Sequence, residues 1–391
     1  MLSSFFTFVF LSACLIYVLL DLQMIRGLQK LGKIRVSGPK NTPLNTPLLT
    51  VLIAARNEEK LLPLVLEDLL VQDYPADRFR VLVVNDRSED GTEQVLRSFV
   101  ANHPGRIESL NVTEIKSGMS PKKNALMKGL ERAKGEWIVV TDADCRLDEK
   151  WLSLLTREFS PEVGMVLGLA VYDVRGNGIP VGKGIQGLDF LSHGIVAASM
   201  VGLGFPINAN ANNLAYRRSA FDEAEAFRKH GRIVSGDDDF VLQEIHATGR
   251  WAIRYCVDPE TVVHTRPPES WRHFWEQRKR WASKCGKYRM GPLLLLSGVF
   301  LYYAAIPAAL VAGFWSLRWL ELGLVGFAIK TGADFAVMQK GLRLFRLSGM
   351  LRFFPQTALM NIPLILAAVT IGTLGGFTWK GQRLTREVKA A

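Results

Sequence analysis

Trp137-Ile138-Val139-Val140-Thr141-Asp142-Ala143-Asp144 is the stretch on which the reading of the whole chain turns. A short Ile/Val run that ends on two acids reads as a strand of a mostly parallel sheet delivering carboxylates to its carboxyl edge. Leu49 to Ala55 and Phe79 to Asn85 have the same character, and helical patterns separate the three runs. The fold class is therefore α/β. Asn57, followed by Glu58 and Glu59, is the expected cap of the first helix, although Pro63 weakens that helix. Ser120 and Pro121 open another helix, which Gly135 closes.

In open α/β sheets ligands bind beyond the carboxyl ends of the strands. Asp86 follows Val81-Leu82-Val83-Val84-Asn85, just as Asp142 and Asp144 follow the quoted run. No G-x-G-x-x-G follows the first strand, which excludes a dinucleotide-binding reading; the edge is acidic instead. Two carboxylates beside a nucleoside diphosphate repel it unless a divalent cation lies between them, so Asp142 and Asp144 are the candidate Mg²⁺ or Mn²⁺ ligands.

The sequence has 391 residues, 48 Lys plus Arg against 37 Asp plus Glu, and 48% hydrophobic positions. Its mean hydropathy is slightly positive. That combination excludes a disordered or fibrous chain and points to a membrane. Leu2 to Leu20, Met290 to Leu317 and Phe353 to Trp379 carry no charge. About 20 apolar residues span the roughly 30 Å hydrocarbon core. Leu11-Ser12-Ala13-Cys14 imitates a lipoprotein cleavage box, but no Lys or Arg precedes it, so the first run is expected to be an anchor and not a cleaved leader. Pro355, Asn361 and Pro363 interrupt the third run, which is expected to be kinked or re-entrant. Trp319 to Met338 is a further span in which Lys330 and Asp334, four apart, neutralise each other.

Arg26, Lys30, Lys33, Arg35 and Lys40 follow the first run, and Lys279, Arg280, Lys284, Lys287 and Arg289 precede the second. Basic flanks mark the cytosolic side. The expected organisation is an N-terminal transmembrane helix at 1–25, a cytosolic catalytic domain with interfacial helices at 26–289, a transmembrane region of two to three helices at 290–379, and a basic tail at 380–391. An even number of crossings puts that tail outside, against the same tendency. Clustering of the positive excess at membrane flanks explains it through lipid head groups and excludes a nucleic-acid partner. Cys14, Cys145, Cys256 and Cys285 are widely spaced, without C-x-x-C, which argues against a disulfide framework or zinc site and for a reducing compartment. The six histidines show no ligand spacing and are read as structural.

Two further clusters carry chemistry. Gly236-Asp237-Asp238-Asp239 precedes an apolar helical stretch, so its acids either cap that helix or supply a general base. Gln277-Arg278-Lys279-Arg280-Trp281 lies just before a span, where Arg278 and Lys279 read as interfacial anchors; Gln277, Arg280 and Trp281 share one helical turn.

Together, Asn85 to Thr92, Asp142 to Asp144, Gly236 to Asp238 and Gln277 to Trp281 occur in the order found in membrane-integrated family 2 glycosyltransferases, which the chain resembles over roughly residues 49–290 and its flanking helices. That family includes cellulose, chitin and hyaluronan synthases and ceramide glucosyltransferases. The resemblance implies a GT-A fold, with Asp86 at the nucleotide base, Asp142 and Asp144 at the metal and diphosphate, and Asp238 as the base. Gln277, Arg280 and Trp281 match Q-x-x-R-W beside donor and acceptor; Lys122 matches a lysine before the metal motif, and Asn213 to Arg217 resembles G-A-N-M-A-Y-R. Asn85 stands where many relatives have Asp, and Asp237 where they have Glu, which leaves Asp237 and Asp239 as rivals for the base.

The implied activity is inverting transfer of a sugar from a nucleotide-sugar donor to a membrane lipid or growing glycan, in the plasma or inner membrane. A processive polysaccharide synthase subunit and a non-catalytic membrane scaffold with the same fold are the alternatives.

Overall fold

The computed structural model describes residues 2–37, 46–174, 178–379, 382–385 and 387. Its centre is a seven-stranded sheet in the order Ile107–Val112, Phe79–Asp86, Leu49–Ala55, Trp137–Val140, Leu214–Arg217, Val163–Leu167 and Ala252–Tyr255. The first four strands run parallel, and Leu214–Arg217 opposes both its neighbours. Near-continuous apolar runs form these strands because both faces of the sheet are covered. Successive side chains alternate: Leu52, Leu82 and Val84 pack with Ala125, Leu126 and Leu130 of the helix Pro121–Arg132. Val51, Ile53, Val81 and Val83 pack on the other face with Leu62, Leu66 and Leu69 of the helix Leu62–Leu70. A small sheet of Cys145–Arg146, Val263–Thr265 and Ala170–Tyr172 lies beside the main one.

The expected cap at Asn57 is not formed. The helix begins at Leu62 with Pro63 in its first turn, where proline's missing N–H is harmless. Asn57 instead adopts a left-handed backbone, and its amide and side chain bond Ser88 and Glu89 of the neighbouring loop. Gly135 lies beyond the end of its helix at φ +116°, and a Cβ there would meet the carbonyl of Leu48 at 2.5 Å, so the close approach demands glycine.

Three helical stretches, Ser4–Ile34, Met290–Ala312 and Ser348–Leu374, are long and apolar enough to cross a membrane. The expected third run ends early: the helix Phe354–Leu374 continues through Pro363 but stops before Gly375-Gly376, and Phe377–Trp379 pairs with Gln382–Leu384 as a ribbon. Lys40, Lys380, Arg386 and Lys389 lie outside the described residues. Lys330 and Asp334 sit on the helix Leu317–Leu344 and pair at 2.8 Å, as their spacing suggests. The N-terminal helix, Leu2–Ser37, packs against both Leu317–Leu344 and the buried helix Val181–Leu203. Cβ atoms at Gly27 and Gly202 would meet the backbone carbonyls of Ser199 and Gly27. Helix axes approach this closely only across small residues.

Gly27→Val is therefore expected to lower the stability of the detergent-solubilised chain by about 2–3 kcal/mol, read as a fall in Tm. Gly332→Ala, inside the helix Leu317–Leu344 with open space around it, should leave Tm unchanged or raise it slightly, because alanine is favoured over glycine within a helix by about 0.5–1 kcal/mol.

Candidate active site

The acids read from the sequence as site residues, Asp86, Asp142, Asp144 and Asp237 to Asp239, line one cavity. Asp86 closes the strand Phe79–Asp86, and Asp142 and Asp144 follow Trp137–Val140, its second neighbour in the sheet. Asp86, Lys122, Asp142, Asp144, Asp238, Gln277, Arg280 and Trp281 all line a single cavity of about 920 Å³.

The strand ends are held by the two loops that follow them. Asn57 and Arg87 both have φ +54°, a left-handed conformation that asparagine tolerates and that an arginine adopts only where the surroundings enforce it. Glu58 N–H donates to Thr92 Oγ1, Gly91 N–H to Glu59 Oε2, and Arg87 Nε to Asp86 Oδ1 at 2.8 Å each. Asn85, where relatives carry Asp, bonds Asn111 Oδ1 through its amide and accepts from Ser88 N–H. An uncharged residue therefore stabilises this loop without adding to the acids at the edge.

The carboxylates are separated by lysines. Lys122, in the first turn of Pro121–Arg132, donates to Asp142 Oδ1 at 3.0 Å and lies 3.1 Å from Asp237 Oδ2. Burial pushes the Asp237 carboxyl up, but the Lys122 ammonium, with Lys123 behind it, outweighs this and holds it at about 2. Lys123, wholly buried, donates to the carbonyls of His230, Ile233 and Ser235, and burial lowers its ammonium to about 8. The Ser235–Asp239 segment is thus anchored from below by backbone contacts and from above by charge.

Asp238 caps the helix Asp239–Ala247: its Oδ1 accepts from Asp239 N–H and its Oδ2 from Ala211 N–H at 3.2 Å. Lys284 Nζ lies 3.3 Å from Asp238 and 2.7 Å from Asp239. Asp239 also accepts from Ala209 N–H and the Tyr288 hydroxyl, and burial raises its carboxyl. Of the three acids, Asp237 is spoken for by Lys122 and Asp239 lies deepest; the Asp238 side chain is 14% exposed.

Lys284 was a membrane flank in the sequence, with no signal tying it to the acids. Arg278 departs further from its expected role as an interfacial anchor. It is buried, paired with Asp189, and its guanidinium lies 4.2 Å from the Trp281 ring centroid and 4.5 Å from that of Phe274. Arg278 thus fastens the helix Trp271–Cys285 to Val181–Leu203. Lys279 pairs with Glu276 at 2.6 Å. Gln277 Oε1 accepts from the Tyr172 hydroxyl at 2.5 Å, and Tyr172 stacks on Phe190. His193 lines the cavity edge-on to Trp281, with its ring kept neutral-leaning by burial. Asn213 is wholly buried and ties Leu169, Thr261 and Trp151 together, which explains the polar start of Asn213 to Arg217.

Thr265 Oγ1 donates to Asp144 Oδ2 at 3.1 Å. Among the described residues no group of three or more His, Cys, Asp or Glu side chains is arranged as a metal cage. The four cysteines are all free.

The chain matches glycosyl transferase family 21 over residues 6–388. It belongs to that family. It is 24% identical over 242 residues to the poly-β-1,6-N-acetyl-D-glucosamine synthase of Staphylococcus epidermidis, covering 60% of this chain and 53% of that protein. It is 27% identical over 243 residues to the β-monoglucosyldiacylglycerol synthase of Synechocystis, covering 60% and 47% respectively. The family 21 chain thus spans about half the length of these relatives. A mannosyltransferase from Pyrobaculum calidifontis, solved with GDP-mannose and Mn²⁺, superposes with a TM-score of 0.53 at 20% identity, over 90% of this chain and 96% of that one. The expected GT-A glycosyltransferase fold is therefore the observed one.

Lys284→Met leaves the buried Asp239 carboxylate without its cation and beside Asp238, and should cost on the order of 3–5 kcal/mol, seen as a lower Tm that Lys284→Arg largely restores. The Asp237 carboxyl lies below its ordinary value of 3.8 in the folded chain, so its contribution is complete above that value and is lost as pH falls through about 2. The stability advantage of the wild type over Asp237→Asn should then be level near neutral pH and shrink below about pH 4. A gap that widens on acidification would contradict this assignment.

Proposed function

We propose that this chain is an inverting glycosyltransferase that moves a sugar from a nucleotide-sugar donor to the hydroxyl of a membrane lipid at the cytosolic face of the plasma or inner membrane. The reading is carried by one cavity with the acid set at one end and Leu295, Phe300 and Ile365 of the candidate spans at the other. Such a shape suits a donor that arrives from water and an acceptor that stays in the bilayer. Basic residues after the first candidate span and before the second support the cytosolic orientation of residues 26–289. They also support the division into an anchor, a catalytic domain, a membrane region of two to three helices at 290–379 and a basic tail.

In this reading Asp86 meets the nucleotide base, and Lys122 and Arg280 face the diphosphate. Asp142 and Asp144 fit a shared divalent cation, Mg²⁺ or Mn²⁺: two carboxylates leave the remaining positions to phosphate oxygens and water, the usual arrangement for such ions. Bound there, the cation would neutralise the departing diphosphate. Asp238, oriented by its backbone bonds, takes the proton from the acceptor hydroxyl. The freed oxygen forms a bond to the anomeric carbon from the face opposite the diphosphate. The bond from that carbon to the diphosphate oxygen breaks, its electron pair leaves with the nucleoside diphosphate, and the anomeric configuration inverts. Gln277 and Trp281, braced by Tyr172 and Arg278, form the wall against the sugar and acceptor. The Mn²⁺ and GDP-mannose of the Pyrobaculum enzyme and the glycolipid named for the Synechocystis relative support the donor, cation and acceptor classes.

A processive synthase is the second reading, favoured by the Q-x-x-R-W residues on the cavity wall and by likeness to a poly-N-acetylglucosamine synthase. Product mass separates the two: a single added hexose on lipid supports the first, a ladder of repeats the second.

Asp238→Asn should lower kcat about 100- to 10,000-fold while nucleotide binding persists, measured as nucleoside diphosphate release with a panel of UDP- and GDP-sugars. Chelation should abolish release, and Mn²⁺ or Mg²⁺ should restore it in the wild type and not in Asp142→Ala. Undiminished release by either variant would remove the assigned role.

A further inference from the structure

The helix Trp271–Cys285 presents Gln277, Arg280 and Trp281 to the cavity. With 3.6 residues to a turn, Glu276 and Lys279 form a face turned away from Gln277 and Trp281. No step of the reaction uses that face, yet two elements are built against it. Gly372, near the end of the helix Phe354–Leu374, approaches so closely that a Cβ there would meet the Lys279 carbonyl at 2.6 Å and the Ala282 Cβ at 3.2 Å. The chain then forms the ribbon of Phe377–Trp379 and Gln382–Leu384, whose first strand is fastened to the same face. Thr378 N–H donates to Glu276 Oε2 at 2.7 Å, while Glu276 Oε1 lies 2.6 Å from Lys279 Nζ. One carboxylate oxygen thus serves the helix and the other the ribbon. Phe377, next to this bond, is buried.

The same stretch of chain reaches the opposite wall of the site. Glu387 forms a β-bridge with Ile233 and lies 2.8 Å from Lys287. Ile233 stands just before the Ser235–Asp239 segment, and its carbonyl accepts from Lys123, the residue that anchors that segment. From outside the cavity, the residues after Leu374 therefore hold both the helix with Gln277 and Trp281 and the segment with Asp238. A shift of about 1 Å between groups that must meet in a transition state can cost about 100-fold in rate. A tie between the two walls controls that spacing.

We propose that Glu276 is a positioning residue: through its bond to Thr378 it clamps the helix Trp271–Cys285 to the C-terminal ribbon and so holds Gln277, Arg280 and Trp281 opposite Asp238. The inference rests on the transferase reading above and adds to it a residue that touches neither donor nor acceptor. It also assigns the ribbon a side. The helix Phe354–Leu374 starts after Phe353, whose ring lies where a Cβ of Gly184 would be, and ends against Lys279. Both ends thus lie on the domain at 26–289, and the helix enters and leaves the bilayer on that one side. The ribbon with Arg383 then shares the side of the catalytic residues, as its charge favours.

The test uses the full chain in phospholipid nanodiscs. Glu276→Ala should lower kcat for nucleoside diphosphate release about tenfold with donor KM within about twofold of the wild type, and with Tm almost unchanged because the Glu276–Lys279 pair lies near the surface. Glu276→Gln, which still accepts from Thr378, should keep most of the rate, and Lys279→Met, which leaves the ribbon bond, should match the wild type. Thr378→Pro removes the donating N–H and should repeat the loss of Glu276→Ala. The double variant should be no slower than the slower single one, since both break one bond. A residue that only stabilises the fold would lower Tm and spare kcat. Normal kcat in Glu276→Ala, no rescue by Glu276→Gln, or additive losses overturn the proposal; should Glu276→Ala fail to fold, Thr378→Pro is read in its place. Hydrogen exchange keeps this apart from the transferase reading: the amides of Trp271–Cys285 should exchange faster in Glu276→Ala whether or not turnover is found, and unchanged exchange overturns the clamp. No release by the wild type with any donor would defeat the transferase reading alone. Arg383→Cys and Glu89→Cys, both at exposed positions, should react with a membrane-impermeant maleimide from the same side of sealed vesicles. Reaction from opposite sides also overturns the proposal.

Discussion

Lysine ammonium groups interposed between carboxylates are the constraint on which the rest of this structure depends. Asp142, Asp237, Asp238 and Asp239 come from the sheet edge and from a separate loop and helix start, and without intervening cations their mutual repulsion would drive these elements apart. Lys122 bridges the first pair and Lys284 the second. Each comes from a different helix, so the charge pattern also fixes how the sheet, the Ser235–Asp239 segment and the helix Trp271–Cys285 meet. Lys123 complements Lys122 from the same helical turn by gathering three backbone carbonyls. One of two adjacent lysines thus handles side-chain charge and the other main-chain polarity.

The helix Trp271–Cys285 joins the acid-lined cavity to the candidate membrane spans. Its Gln277, Arg280 and Trp281 face the acid-lined cavity, while the chain enters the apolar helix Met290–Ala312 a few residues later. Burying Arg278 against Asp189, between two aromatic rings, locks that helix to Val181–Leu203, which in turn meets the N-terminal helix at the Gly27–Gly202 crossing. A rigid path of packed elements therefore connects the reaction wall with the membrane bundle. Under the proposed function, a water-soluble donor and a bilayer-resident acceptor would meet within that one cavity.

Much of the fold was legible because its signals are local. Leu49 to Ala55, Phe79 to Asn85 and Trp137 to Thr141 announce strands by β-branched runs, and Asp86, Asp142 and Asp144 announce a site by standing where such strands end. Asn57 misled because its type favours both helix caps and left-handed turns, and only the neighbouring loop carrying Ser88 and Glu89 decides between them. The third apolar run misled at its end because hydropathy does not register that Gly375-Gly376 breaks the helix before the apolar residues stop.

By itself, then, the sequence determined the α/β class, the acidic sheet edge and the apolar stretches, since each follows from the chemistry of neighbouring residues. Only the tertiary structure decided that Lys284 serves Asp238 and Asp239, that Arg278 is buried against Asp189, and that Asp21 lines the same cavity with neither carboxyl oxygen hydrogen-bonded among the described residues. Those three facts join residues tens to hundreds of positions apart or depend on the absence of a partner. The meaning of a charged side chain near a membrane depends on which distant groups surround it, and no local pattern records that.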